Sequence, residues 1–204
     1  ALAPAVVAGG GAGSAWAADG AVSSVLDNVG LLTPETREYL EKMVGQVEAD
    51  TGLKMRVILP KPGQYTDKEY MKPVAVAWGV DRTSLILIVE DAKGGAVANT
   101  GKSRGPGAFG KRYLDWSPGF RLQEKYQFRL SRDFFLRNKG KFGTPEYVKE
   151  NGLDGAVRDA ARDVATCYYK LAASQATQNG MASPICGDPF PREQVDAVLG
   201  EHGL

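Results

Sequence analysis

Ser84-Leu85-Ile86-Leu87-Ile88-Val89-Glu90-Asp91 is the stretch on which the architecture turns. Its apolar run shows no period-2 alternation, the mark of a strand covered on both faces rather than of a half-wet edge. It is too short to span a bilayer and too β-branched to favour a helix. We read it as the middle strand of an α/β sheet. Its acidic end, Glu90-Asp91, opens into the turn Gly94-Gly95, and the carboxyl ends of such strands are where open sheets hold their sites.

Upstream, Leu53-Lys54-Met55-Arg56-Val57-Ile58-Leu59 alternates apolar and basic residues until Pro60, which predicts a neighbouring strand. Before it, Thr33 is a cap, Pro34 suits a first helical position and Glu35 favours the positive helix end. Leu40, Val44 and Val47 then recur at three and four residues up to Gly52, giving an amphipathic helix. Asp67 starts a short helix that Pro73 is expected to break or restart before Trp78-Gly79. Helix, strand, helix, strand in this order implies a right-handed crossover between adjacent parallel strands.

Downstream the signal is weaker. Gly95 to Thr100 reads as a further strand, Gly101 to Gly119 as a Gly/Pro-rich loop, and Lys125 to Leu130 as a charged edge strand. Ser131 and Thr144-Pro145-Glu146 look like starts of short helices. Near Asp154 a stronger helix begins, with Val157, Ala161, Val164, Tyr168 and Leu171 on one face. Pro191 to Leu199 adds a terminal helical turn, and His202 is placed in a frayed end.

The 204 residues suffice for one domain with a core, and a formal charge of +1 argues against a nucleic-acid binder. Locally the balance differs: Lys102 to Lys141 holds eleven Lys and Arg against three acids, Asp115, Glu124 and Asp133. Such an excess is either a solvated basic face or a surface for an acidic partner. Ala1 to Ala17 carries no charge, is built largely of Ala, Gly and Val, and ends in Ala15-Trp16-Ala17, a small-x-small cleavage pattern. It is expected to be the tail of an export signal whose charged beginning is not in the sequence; an Ala/Gly linker is the alternative. Cys167 and Cys186 fit neither a C-x-x-C redox pair nor a zinc knuckle. They read as a structural disulfide, which needs an oxidising compartment, or else as two buried thiols.

Two glycine motifs fail on context. Gly105-Pro106-Gly107-Ala108-Phe109-Gly110 matches G-x-G-x-x-G but holds a proline, and Gly101-Lys102-Ser103 lacks the earlier P-loop glycine, Ala96 standing there. With His202 the lone imidazole and placed in a frayed terminus, no Ser-His-Asp or Cys-His arrangement is expected. Carboxylates remain: Asp81, Glu90, Asp91 and Asp115 are the candidates for a cluster near the carboxyl edge that would suit a hard cation, Ca²⁺ or Mg²⁺. The alternative is surface turns with acids at strand ends.

Val25-Leu26-Asp27 with Gly30-Leu31-Leu32-Thr33, then Glu48-Ala49-Asp50-Thr51-Gly52-Leu53-Lys54-Met55-Arg56-Val57, resembles the opening of the TPM domain. Trp78-Gly79-Val80-Asp81-Arg82-Thr83-Ser84 takes the place of that family's tryptophan and polar turn before its central strand. Lys141-Phe142-Gly143, Tyr147 to Gly152 and the Cys167-bearing helix look most like the small TPM-type thylakoid lumen proteins of plants and algae. The resemblance implies a three-layer α/β/α sandwich with a small mixed, partly parallel central sheet. It implies a residual targeting segment over 1–17, the remnant of a transit peptide, then a TPM-like domain over 18–190 and a C-terminal tail over 191–204.

Residence in the chloroplast thylakoid lumen, peripheral to the membrane with no transmembrane span, follows from the same resemblance. So does a non-enzymatic role docked on a photosynthetic membrane complex, photosystem II before photosystem I, as assembly factor, repair factor or peripheral subunit. The docking surface is expected in the basic stretch, at Arg112, Tyr113, Trp116, Phe120, Arg121 and Arg129, since Arg and aromatic side chains anchor interfaces. No nucleic acid and no obligatory cofactor are implied. Some relatives are linked to acid phosphatase activity or Ca²⁺, so a weak metal-dependent acid phosphatase built on Asp81, Glu90 and Asp91 is the alternative. The chain departs from the enzyme-like members in having Asp81-Arg82-Thr83 before the central strand and the basic Asn99-Thr100-Gly101-Lys102 where they carry an acidic ending.

Overall fold

A computed structural model describes residues 22–89, 113–119, 122, 129–131, 133–174 and 184–204. The targeting segment, the strand expected over 95–100, both glycine motifs and most of the edge strand over 125–130 lie outside the described residues.

The elements run β1 (Val25–Asp27), α1 (Pro34–Thr51), β2 (Met55–Leu59), α2 (Lys68–Ala77), β3 (Leu85–Val89), β4 (Leu114–Pro118), α3 (Phe134–Phe142), α4 (Pro145–Ser174) and α5 (Arg192–Glu201). The sheet order is β1-β2-β3-β4. The first three strands are parallel, with Val25 opposite Val57 and Val57 opposite Leu87. β4 returns antiparallel to β3, setting Asp115 opposite Ile88.

β3 is the covered strand that its sequence demands. Leu85, Leu87 and Val89 join Val25, Met55, Val57 and Leu59 in a core that α1, α3, α4 and α5 close from one side. Ile88, with Leu26 and Ile58, points the other way, onto Val74 of α2 and Trp78 just after it. The result is the expected three-layer α/β/α fold, thick on one side and thin on the other. Each such apolar side chain contributes roughly 1.5–3 kcal/mol through burial.

Several elements differ from expectation. β1 was not foreseen, because its three residues are too few to show a period. β4 lies within the stretch read as a loop: Leu114 and Trp116 are buried while Asp115 is exposed, but Pro118 and Gly119 end the alternation. Gly119 is obligatory there, since a Cβ would meet the Arg82 carbonyl oxygen at 2.3 Å. At the end of the expected edge strand, whose other residues are mostly outside the described ones, Leu130 bridges Cys186. Pro73 sits inside α2 instead of breaking it. It removes one hydrogen bond, to the carbonyl of Glu69, which lies on the exposed first turn where water can replace the donor.

In α4 the backbone breaks at Gly152 (φ 72°, ψ 161°), so a short first segment precedes the long helix, matching the two starts read from the sequence. The terminal segment is no frayed tail. α5 buries Val195 and Leu199, and His202 stacks on Tyr169 at 3.6 Å with its Nδ1 3.4 Å from Asp50.

Cys167 on α4 and Cys186 form a disulfide, with both side chains fully buried. The bridge ties the segment leading into α5 to the long helix. Closing a loop of 19 residues' separation stabilises a fold by about 3 kcal/mol in the chain-entropy picture. Cys167→Ala with Cys186→Ala is expected to lower unfolding stability by that amount in urea titrations. A reductant should produce the same loss in the wild-type chain and none in the double variant.

Candidate functional site

The carboxyl edge of the parallel strands is held together by side chains that serve the backbone. Asp27 at the end of β1 accepts from the N–H groups of Val29, Gly30 and Leu32, at 3.2, 2.8 and 2.8 Å. Gly30 takes the positive φ (68°) that this turn requires. Thr33 then caps α1, and Asp154 of α4 receives the Thr33 N–H at 2.8 Å and the Thr36 hydroxyl at 2.6 Å. A carboxylate therefore already occupies the positive end of α1. Beside it Asn28 donates to Gln64 and to the Tyr70 hydroxyl.

Of the acids predicted to cluster, the two among the described residues, Asp81 and Asp115, are placed apart. Asp81 lies before β3, at the amino edge, and β3 separates it from the carboxyl edge by about 17 Å at the usual rise per residue. Its carboxylate accepts from the Thr83 N–H and hydroxyl, both at 2.7 Å, and from Ser84 at 3.2 Å. The Thr83 hydrogen bonds hold its pKa down to about 2. Asp115 is on β4 near the other end of β3, paired with Lys139 at 2.6 Å. Glu90 and Asp91 lie outside the described residues. Among the described residues no three His, Cys, Asp or Glu side chains are grouped to hold a metal ion.

Residues 25–108 match the TPM domain. No curated protein matches the chain. Among solved structures, the solution NMR structure of the N-terminal domain of a protein from P. gingivalis is similar, with a TM-score of 0.53 and 15% identity. That likeness covers 79% of this chain and 91% of the other, and concerns the fold. The TPM match takes in β1, β2 and β3 with their crossovers, while β4 and α3 to α5 lie beyond it.

Of the docking residues expected in the basic stretch, Trp116 is not available. It is 6% exposed, packs near Phe135, and donates from its indole to Asn138 Oδ1 at 2.6 Å. Arg129 donates to the Ser174 carbonyl oxygen at 2.6 Å, bracing the end of α4. Tyr113 is half-buried against the core. Arg112, Phe120 and Arg121 lie outside the described residues. What the stretch does put on the surface is one side of α3: Leu136, 51% exposed, with Arg137 and Lys141.

A second basic feature was missed. Arg158 and Arg162, one turn apart on α4, and Arg192 on α5 line a groove of about 470 Å³ against Glu35, Thr36 and Tyr39 of α1. Arg162 pairs with Asp196 at 2.5 Å, and Arg192 reaches the same carboxylate at 3.9 Å. Burial pushes the Tyr39 phenol up, although the Arg162 guanidinium beside it pulls the other way. The spacing of 158 and 162, and of 192 and 196, was the available signal, since residues four apart share a helix face.

Beneath β4 a buried polar chain runs from the Trp116 indole through Asn138 to Asp163. Asn138 donates to Asp163 at 2.8 Å, and the Phe190 N–H donates to the other carboxylate oxygen at 2.7 Å. Burial pushes the Asp163 carboxyl up to about 6, in spite of these donors and Lys141. The folded chain thus holds this proton more tightly than the unfolded one, whose Asp titrates near ~3.9. The group's stabilising contribution is full below that value and is lost as pH rises through about 6. Raising pH from 4 to 7 is expected to cost about 2 kcal/mol at this residue. In Asp163→Asn that part of the slope should vanish from denaturation midpoints, whereas the loss governed by Asp81 begins only below pH 4 and stays in place.

Proposed function

We propose that this chain is a thylakoid-lumen TPM-domain protein that acts without catalysis, docking on a photosynthetic membrane complex as an assembly factor, repair factor or peripheral subunit. Photosystem II is the preferred partner, on the resemblance of the opening and of the later motifs. The buried Cys167–Cys186 bridge supports an oxidising compartment. No helix among the described residues is long and apolar enough to cross a membrane, in keeping with attachment through a surface.

The observation that carries the docking reading is the outer side of α3. Phe134, Phe135, Asn138 and Phe142 face inward, which leaves Leu136 half exposed beside Arg137, on a helix with Lys139 and Lys141 in its last turn. An exposed apolar residue set among cations is the composition of an interface for an acidic partner. Among the described residues Arg137 meets the exposed Asp188 and, at 3.4 Å, the Gly187 carbonyl oxygen; the exposed pair adds little to stability and can be exchanged for a partner's acid. The docking surface is accordingly moved from Trp116 and Arg129 to Leu136 and Arg137, with Arg112 and Arg121 retained.

Leu136→Asp with Arg137→Glu is expected to release the protein from thylakoid membranes while leaving its unfolding midpoint within about 0.5 kcal/mol of wild type, as surface changes do. Native separation of solubilised thylakoids with mass spectrometry should move the chain from a photosystem band to monomer size in the variant. Unchanged migration would remove this face from consideration. Migration of the wild type as a monomer, with divalent-ion-dependent hydrolysis of a phosphomonoester that Asp91→Asn abolishes, would favour the acid phosphatase instead.

A further inference from the structure

Where the end of α3 meets the bend of α4 and the start of α5, the helical layer leaves a cavity of about 180 Å³. Its walls are aromatic. Phe142 and Tyr147 stand edge to face at 5.2 Å, and Phe190 and Val195 complete the lining. Phe142, Phe190 and Val195 are buried and Tyr147 packs against the same core, so the walls are fixed before any ligand arrives. An apolar pocket with a few oriented polar groups is the usual form of a small-molecule site.

The charges around it are unequally committed. Asp159 accepts the Tyr147 hydroxyl at 2.8 Å and lies 3.4 Å from Arg158, so its charge is answered. Arg162 donates from one terminal nitrogen to Asp196, while its buried Nε has no partner among the described residues. Lys141 donates to the Phe190 carbonyl oxygen at 3.3 Å and lies 4.8 Å from the Phe142 ring centre. Among the described residues it has no carboxylate within 4 Å. Arg192 is exposed and, among the described residues, has only the 3.9 Å approach to Asp196. Two cations, Lys141 and Arg192, therefore border an aromatic chamber with charge to spare. The volume is slightly above the roughly 150 Å³ of an apolar cavity that accepts one benzene.

We propose that this cavity binds a small aromatic monocarboxylate, its single ring held among Phe142, Tyr147 and Phe190 and its carboxylate between Lys141 and Arg192. The site shares Lys141 with the surface of α3 but neither Leu136 nor Arg137, and its benzoate test does not depend on the docking reading.

The experiment titrates the full chain with benzoate, following amide shifts by NMR, with benzyl alcohol as the ring without charge and acetate as the charge without ring. Benzoate is expected to saturate with a Kd of about 1 mM or tighter, the range open to so few atoms. Perturbed amides should centre on residues 141–147 and 190–195. Both control compounds should bind at least tenfold more weakly, and Lys141→Gln and Arg192→Gln should each weaken benzoate about tenfold. Both side chains are at the surface, so these variants are expected to fold. Absence of saturable benzoate binding, equal affinity for acetate, or an affinity unchanged in both variants would each overturn the proposal.

Discussion

A strand without a polar side chain has to be covered on both faces, and β3 imposes that requirement on everything around it. Leu85, Leu87 and Val89 need one layer, Ile88 another. Parallel pairing with β2 then forces the crossover through α2, and the crossover supplies the second cover at Val74 and Trp78. The other face is larger because three strands and β4 all present apolar residues there, more than α1 alone can close. α3, α4 and α5 are drawn onto it, and with them come the disulfide, the buried Asp163 and the aromatic cavity. The features beyond the TPM match are in this sense consequences of covering the sheet.

Covering a sheet with helices also brings polar groups inside, and several of them are answered in sequence. The Trp116 indole needs an acceptor, Asn138 provides it, and the Asn138 amide in turn needs Asp163. The last oxygen of Asp163 takes the Phe190 N–H, which fixes the segment that the disulfide has already drawn close. Arg56, buried in β2, is handled likewise by Glu48 at 2.8 Å and by the Met55 carbonyl oxygen. A buried polar group left alone would cost more than these bonds return, so each fixes its neighbour's position.

What could be read from the residues follows the length and purity of each signal. β3 was legible as an unbroken apolar run of five residues, β2 by its alternation up to Pro60, and α1 by its recurring apolar positions between a cap and Gly52. The strongest stretch of α4 was legible by the same recurrence, and the cysteine pair because no other chemistry fits its spacing. β1 was invisible at three residues, and β4 was hidden by the proline and glycine that end it. The site was far less legible than the fold. Trp116 and Arg129 have the residue types of an interface, and only tertiary packing reveals that both are used internally. Asp81, Glu90 and Asp91 are close in sequence, but a strand of five residues is rigid and sets Asp81 at the far edge.

Five acids among the described residues are spent on the chain's own architecture. Asp27 folds the first turn, Asp154 binds the start of α1, Asp81 shapes the turn before β3, Asp163 closes the polar chain, and Asp196 holds Arg162. A carboxylate already accepting two or three hydrogen bonds is a poor ligand and a poor base, because new chemistry would require those bonds to be given up. The cations differ: Lys141 meets a carbonyl and a ring, and Arg192 only a distant carboxylate. Among the described residues, then, the capacity to attract something from outside rests with positive charge on the α3, α4 and α5 layer. The reading built on paired carboxylates gives way there to one built on arginine, lysine and aromatic walls.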